Sequence, residues 1–233
     1  MGESVIGRVI SVNAGRPQTV EWFGRRVTTA IWKAPVDGPV AVRGVNVAGD
    51  AQADLRVHGG YDKAIYAYAV EDYRWWSAEL GETLAPATFG ENLTMEGIDL
   101  AAAVVGEQWL VGSATLEVSE PRFPCFKLGI RMGDAAFVDR FDEASRFGTY
   151  LRIVCEGEVS AGSEVVRIDP TALGPTALGR TAGSATGGLT IGDLIEVDRA
   201  PTPELLERIA ASRHVSDRWR DKAARALLRP PAQ

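Results

Sequence analysis

The chain has 233 residues and a formal net charge of −6, with 45% hydrophobic and 24% charged side chains, the composition of a globular protein with an ample core of its own. That acidic balance argues against broad phosphate-backbone binding, so no nucleic-acid partner is expected. With only two cysteines, Cys125 and Cys155, a disulfide scaffold is not expected and a reducing, cytoplasmic setting is; no basic leader precedes a long apolar run and no apolar stretch approaches the ~20 residues of a membrane helix, so no membrane partner is expected either.

In chain order, residues 5–12 are rich in β-branched side chains and read as a strand. Next comes GDAQADLRVHGGYDKAIYAY, residues 49–68, in which Gly59-Gly60 makes a tight turn and lets a ligand approach the backbone, with His58, Asp62 and Lys63 around it. A lysine beside exposed backbone N–H groups suits a phosphate or a heterocycle; a β-turn with solvated charges fits these residues as well. Residues 64–70 then read as a strand, and EDYRWWSAELG as a helix, with Tyr73, Trp76 and Leu80 on one face and Gly81 as its stop. FGENLTMEG, residues 89–97, offers Gly90 and Asn92 for a turn with positive φ, and Asn92 carries both a donor and an acceptor.

Alternation of Ala114, Leu116 and Val118 with polar residues predicts a half-buried strand. It leads into EPRFPCFKLGIRMG, residues 120–133, where Arg122, Lys127 and Arg131 surround Cys125 with no carboxylate between Pro121 and Gly133. Cations lower a thiol's pKa, and the thiolate is both nucleophile and metal ligand. Pro121 and Pro124 stiffen the approach. Local sequence leaves two readings open, an activated thiol or a small buried hydrophobe with surface cations beside it. Cys155 falls in phase with Leu151 and Ile153 and is expected to be buried and inert. His58 and His214 are too few and too far apart for a zinc site.

Many short strands with few helices predict a closed or nearly closed β-barrel over residues 1–169. The Gly-, Ala-, Thr- and Pro-rich stretch 170–188, with TALG twice, reads as a linker or insertion. Residues 189–233 then predict a small three-helix bundle: Thr190 with Asp193 as a capping box, Thr202-Pro203 opening a second helix and Ser216 a third.

The ordered set GDAQAD with HGGYDKA, then FGEN, then PRFPCFK, followed by helices, resembles the MOSC domain family, in particular its YiiM-like bacterial branch with a C-terminal "3-alpha" domain. The resemblance spans roughly residues 30–228 apart from the insertion. It implies a mainly β protein with α, a MOSC-type barrel carrying a molybdenum cofactor, molybdopterin. Cys125 aligns with the family cysteine and is the implied molybdenum ligand and catalytic residue. The cofactor-binding residues expected around it are His58, Gly59, Gly60, Lys63, Asn92, Arg122 and Lys127. The implied activity is reduction of small N-hydroxylated compounds, such as hydroxylaminopurines and amidoximes, with electrons from a separate reductase. A sulfur carrier or cofactor-delivery protein holding a persulfide on Cys125 is the alternative, and a pure binding module a third. No pyridoxal phosphate is expected in this chain.

Overall fold

The computed structural model describes residues 4–52, 59–169 and 188–228. His58 and nearly all of the expected 170–188 insertion lie outside the described residues.

The strands are β1 (Ser4–Ala14), β2 (Gln18–Trp22), β3 (Arg25–Thr29), β4 (Ala34–Pro35), β5 (Val40–Arg43), β6 (Asn46–Val47), β7 (Ile65–Ala69), β8 (Leu93–Glu96), β9 (Gln108–Val111), β10 (Ala114–Pro121), β11 (Thr149–Cys155), β12 (Gly157–Val159) and β13 (Glu164–Arg167). The helices are α1 (Val70–Leu80), α2 (Phe126–Met132), α3 (Phe137–Ala144), α4 (Ile191–Arg199), α5 (Pro203–Ala211) and α6 (Asp217–Leu227). The main sheet runs β13-β9-β10-β11-β7-β8-β1-β4, and pairing of β13 with β1 closes its first seven strands into a barrel. Closure removes the edges along which an open sheet would aggregate. β1 can serve β13, β8 and β4 because its register breaks at Val5/Gly7 and again at Val9/Ser11, and such irregularities bend a strand.

β7 and β8 are the parallel pair in the barrel. Parallel neighbours need a crossover, and α1 supplies it, ending at Gly81 with φ +70 as expected. Tyr73 and Trp76 of α1 are buried, with Trp76 stacked on Phe141 at 5.5 Å. Phe89, Phe137 and Phe147 extend this aromatic layer over the barrel.

The structure corrects two expectations. The segment after Cys125 is helical, as α2 and α3, where a strand-and-turn region with one helix was expected. Each helix spans only about two turns, too few to establish a hydrophobic repeat, and α2 carries Gly129 inside it, where a Cβ would come 3.0 Å from the Asp134 carbonyl oxygen. Cys155 is exposed, not buried. The register of β10 against β11 slips between Thr115 and Leu116, whose partners are Cys155 and Ile153. One extra β11 residue therefore sits at the strand's end and breaks the alternation that put Cys155 in phase with Ile153.

Beyond the barrel, the expected caps are present. Thr190 and Asp193 form the reciprocal capping box of α4, and Thr202 accepts the Leu205 N–H at the start of α5, with Pro203 in its first turn. Ser216 opens α6 as expected, as its N-cap residue without a side-chain cap bond; its hydroxyl donates instead to Glu120 Oε2 at 3.1 Å. That bond ties α6 to the end of β10.

Gly148 enters β11 with φ +66, and a Cβ there would meet the Ala67 carbonyl oxygen at 2.4 Å. Gly148→Ala is therefore expected to destabilise the fold by about 2–4 kcal/mol, read by chemical denaturation.

Candidate functional site: a cationic cleft around Cys125

β10 carries the chain to Pro121 and delivers Arg122 and Cys125 to one end of the barrel. Cys125 is half-buried. It is the N-cap residue of α2, its extended backbone (φ −140, ψ 169) turning the chain into the helix, and its carbonyl accepts the Leu128 N–H at 2.8 Å. The thiol lines a cleft with about 630 Å³ of open space, its mouth included, walled also by Lys33, Asp50, Gln52, Lys63, Tyr66, Asn92, Arg122, Lys127 and Tyr150.

Among the described residues, four cations, Lys33, Lys63, Arg122 and Lys127, and one carboxylate, Asp50, line this cleft, although the chain as a whole carries −6. Arg122 is the deepest of them, 7% exposed. Its guanidinium lies 5.3 Å from the Tyr66 ring centre and 5.9 Å from that of Phe141, so α3 packs over the cation. Arg122 Nη1 is buried without a hydrogen-bond partner among the described residues, and so is Gln52 Oε1. One orphaned donor and one orphaned acceptor thus belong to residues on the same cleft wall, and buried polar atoms in this state mark a place where a further group is needed.

Asp50 organises the side chains around it in the cleft. Its carboxylate accepts the Gly15 N–H at 2.8 Å and the Asn92 side-chain N–H at 2.9 Å, and it pairs with Lys33. Burial lowers the Lys33 pKa, and Asp50 beside it opposes that shift. Asn92 is buried, and its amide is engaged on three sides: it donates to Asp50 and to the Asn13 carbonyl, and accepts from the Tyr66 N–H at 3.1 Å. Its neighbour Glu91 accepts from the Tyr73 hydroxyl, the Ala87 N–H and the Thr94 hydroxyl. FGEN is thus a strongly tied loop; Gly90 has φ +80, whereas Asn92 is not among the positive-φ residues.

Lys63 lies 3.4 Å from Glu120 and 5.9 Å from the Tyr150 ring centre. Burial pushes the Tyr150 hydroxyl up to about 12, with Arg122 opposing the shift, so it keeps its proton at neutral pH and presents an O–H donor.

Of the expected site residues, Cys125, Lys63, Asn92, Arg122 and Lys127 come together on this cleft. Gly59 and Gly60 line a neighbouring recess shared with Lys63, Glu120 and Arg218, and His58 lies outside the described residues. Sequence reasoning missed Lys33, Gln52, Tyr66 and Tyr150. Asp50 and Gln52 stood inside the GDAQAD motif, but only the folded chain shows what each faces.

The sequence pattern of the MOSC domain matches residues 54–166. The uncharacterised protein YflK of Bacillus subtilis is 39% identical over 157 residues, 67% of this chain and 71% of YflK. A protein of Gibberella moniliformis named "Reductase" is 32% identical over 163 residues, 68% of this chain but only 29% of that protein. The crystal structure of YiiM from Geobacillus stearothermophilus superimposes with a TM-score of 0.73 at 27% identity, covering 95% of this chain and 99% of that one. The chain belongs to the MOSC domain family, and it is built as that YiiM structure is, a barrel followed by helices.

Proposed function

We propose that the cleft holds a molybdenum cofactor through the Cys125 sulfur, and that the loaded protein reduces small N-hydroxylated compounds with electrons from a separate reductase. The observation that carries this reading is a thiol on the wall of a cleft lined, among the described residues, by four cations and one carboxylate in an otherwise acidic chain. A phosphate-bearing, sulfur-rich pterin is anionic and polar at its edges, and the residues present fit it. Thiolate suits a soft metal centre. Arg122 Nη1 offers a buried donor and Gln52 Oε1 a buried acceptor, both unmet among the described residues.

The residues then take the following parts. Cys125 ligates the metal. Arg122, its guanidinium near the Tyr66 and Phe141 rings, offsets negative charge from its buried place in the cleft, and Lys63 and Lys127 do so from theirs. Asn92, with both donors engaged, positions Asp50 and through it Lys33. Tyr150 supplies a neutral O–H beside the thiol. When bound, the cofactor supplies two-electron chemistry that removes oxygen from an N–OH group. The balance is R–NHOH with two electrons and two protons giving R–NH2 and water, the electrons coming from the reductase partner.

The family membership and the likeness to YiiM support a role tied to the molybdenum cofactor. A reduction assay tests the finer reading. Protein from a cofactor-producing host, given a chemical reductant, is expected to convert benzamidoxime to benzamidine and hydroxylaminopurine to the aminopurine at rates proportional to its molybdenum content. Loaded protein that leaves every such compound untouched contradicts it. A stoichiometric persulfide on Cys125 without metal would put sulfur carriage in its place.

A further inference from the structure

Cys125 borders two spaces. On its other side is a chamber with about 1030 Å³ of open space, mouth included, walled by the end of β10 and by the C-terminal helices. Lys63, Cys125 and Tyr150 line both spaces. The two differ in charge. Among the described residues, the cleft has four cations to one carboxylate, and the chamber balances Lys63, Arg218 and Lys222 with Glu120, Asp142 and Asp198. It also has an aromatic margin: Phe123 and Trp219 both line it, their ring centres 6.1 Å apart, with Trp219 6% exposed and Lys222 Nζ 4.9 Å from its ring centre. An anionic cofactor is favoured in the first space, and a flat, uncharged or cationic molecule with N–H donors in the second.

The helical wall is fixed in place, not loosely apposed. Arg152 donates to the His214 carbonyl at 2.9 Å, and Ser216 donates to Glu120. Arg199 of α4 pairs with Asp142 of α3, and Lys222 of α6 with Asp198 of α4. Arg218 and Lys222 lie four residues apart on one face of α6, which turns both toward the chamber.

We propose that this chamber is the substrate site, and that α4 and α6 form its outer wall, which makes the C-terminal helices part of the reacting machinery. The ligand is a planar, nitrogen-rich compound whose ring lies against Phe123 and Trp219. Its N–H and N–OH groups donate to the carboxylates of Asp142 and Asp198, and its reactive nitrogen faces Cys125 across the shared wall. This rests on the preceding assignment of the cofactor to the cationic cleft.

The test uses benzamidoxime with full-length protein carrying 5-fluorotryptophan, which has six tryptophans, the Trp219 resonance being assigned by its loss in Trp219→Phe. Benzamidoxime is expected to shift that resonance saturably in both cofactor-loaded and cofactor-free protein. Asp142→Asn with Asp198→Asn makes both acceptors neutral and is expected to weaken this binding about tenfold or more, and to raise KM similarly with kcat retained. Molybdenum content is expected to stay unchanged. The proposal is overturned by a Trp219 resonance that does not move while turnover proceeds, by an unaltered KM in the double variant, or by loss of molybdenum from it, which would give the chamber to the cofactor. Saturable binding at Trp219 without reduction of any N-hydroxylated compound would leave the chamber standing and remove the reductase reading instead.

Discussion

Arg122→Leu is expected to leave the unloaded protein as stable as the wild type or more so, while weakening retention of an anionic cofactor about 30- to 1000-fold. The two signs follow from one geometry. The guanidinium is buried between Tyr66 and Phe141, and Nη1 finds no hydrogen-bond partner among the described residues. Desolvating a cation without full compensation costs stability, and an apolar side chain of similar volume in the same sandwich relieves that cost. The loss appears only when negative charge has to be accommodated. Thermal melts of cofactor-free protein, together with molybdenum analysis of loaded preparations, read both halves. A large drop in the melting temperature of the unloaded variant would show that Arg122 serves the fold, not a ligand.

The second large effect lies at Arg152. Its side chain is fully buried, donating to Asp62 at 2.7 Å, to Glu117 at 2.5 Å and to the His214 carbonyl at 2.9 Å. One side chain of β11 thereby joins the turn that carries Lys63, the adjacent strand β10 and the connection into α6. Ser119 holds the same turn by a bond to the Asp62 carbonyl at 2.6 Å. Arg152→Met leaves the Glu117 carboxylate buried without its cation and is expected to cost about 3–5 kcal/mol in chemical denaturation. Adding Glu117→Gln removes the stranded charge and is expected to recover part of that loss. A single variant that unfolds within about 1 kcal/mol of the wild type would mean that the Arg152 network does not hold the barrel to the helices.

Sequence carried the fold where its signals are local. The α4 capping box, the Thr202-Pro203 start of α5 and the Gly81 stop of α1 all stand where the residue types placed them. α2 and α3 escaped notice because helices of seven and eight residues give too few apolar positions to define a period, although Phe137 and Phe141, both buried, share a face. Cys155 was misread because alternation assumes an unbroken ladder, and the slip beside Thr115 breaks it. At the site, charge and stiffness around Cys125 were visible in the chain itself. Asp50 was not, because its meaning comes from Gly15, Lys33 and Asn92, which only the closed barrel brings together. The second chamber was invisible for the same reason: its walls come from β10, α3, α4 and α6.

The central claim is that Cys125 holds the metal, and the molybdenum content of purified protein tests it most directly. In a host that makes the cofactor, the account predicts about one molybdenum per chain for the wild type and for Cys155→Ser, and less than about a tenth of that for a folded Cys125→Ser. Molybdenum retained in Cys125→Ser at the wild-type level would contradict it.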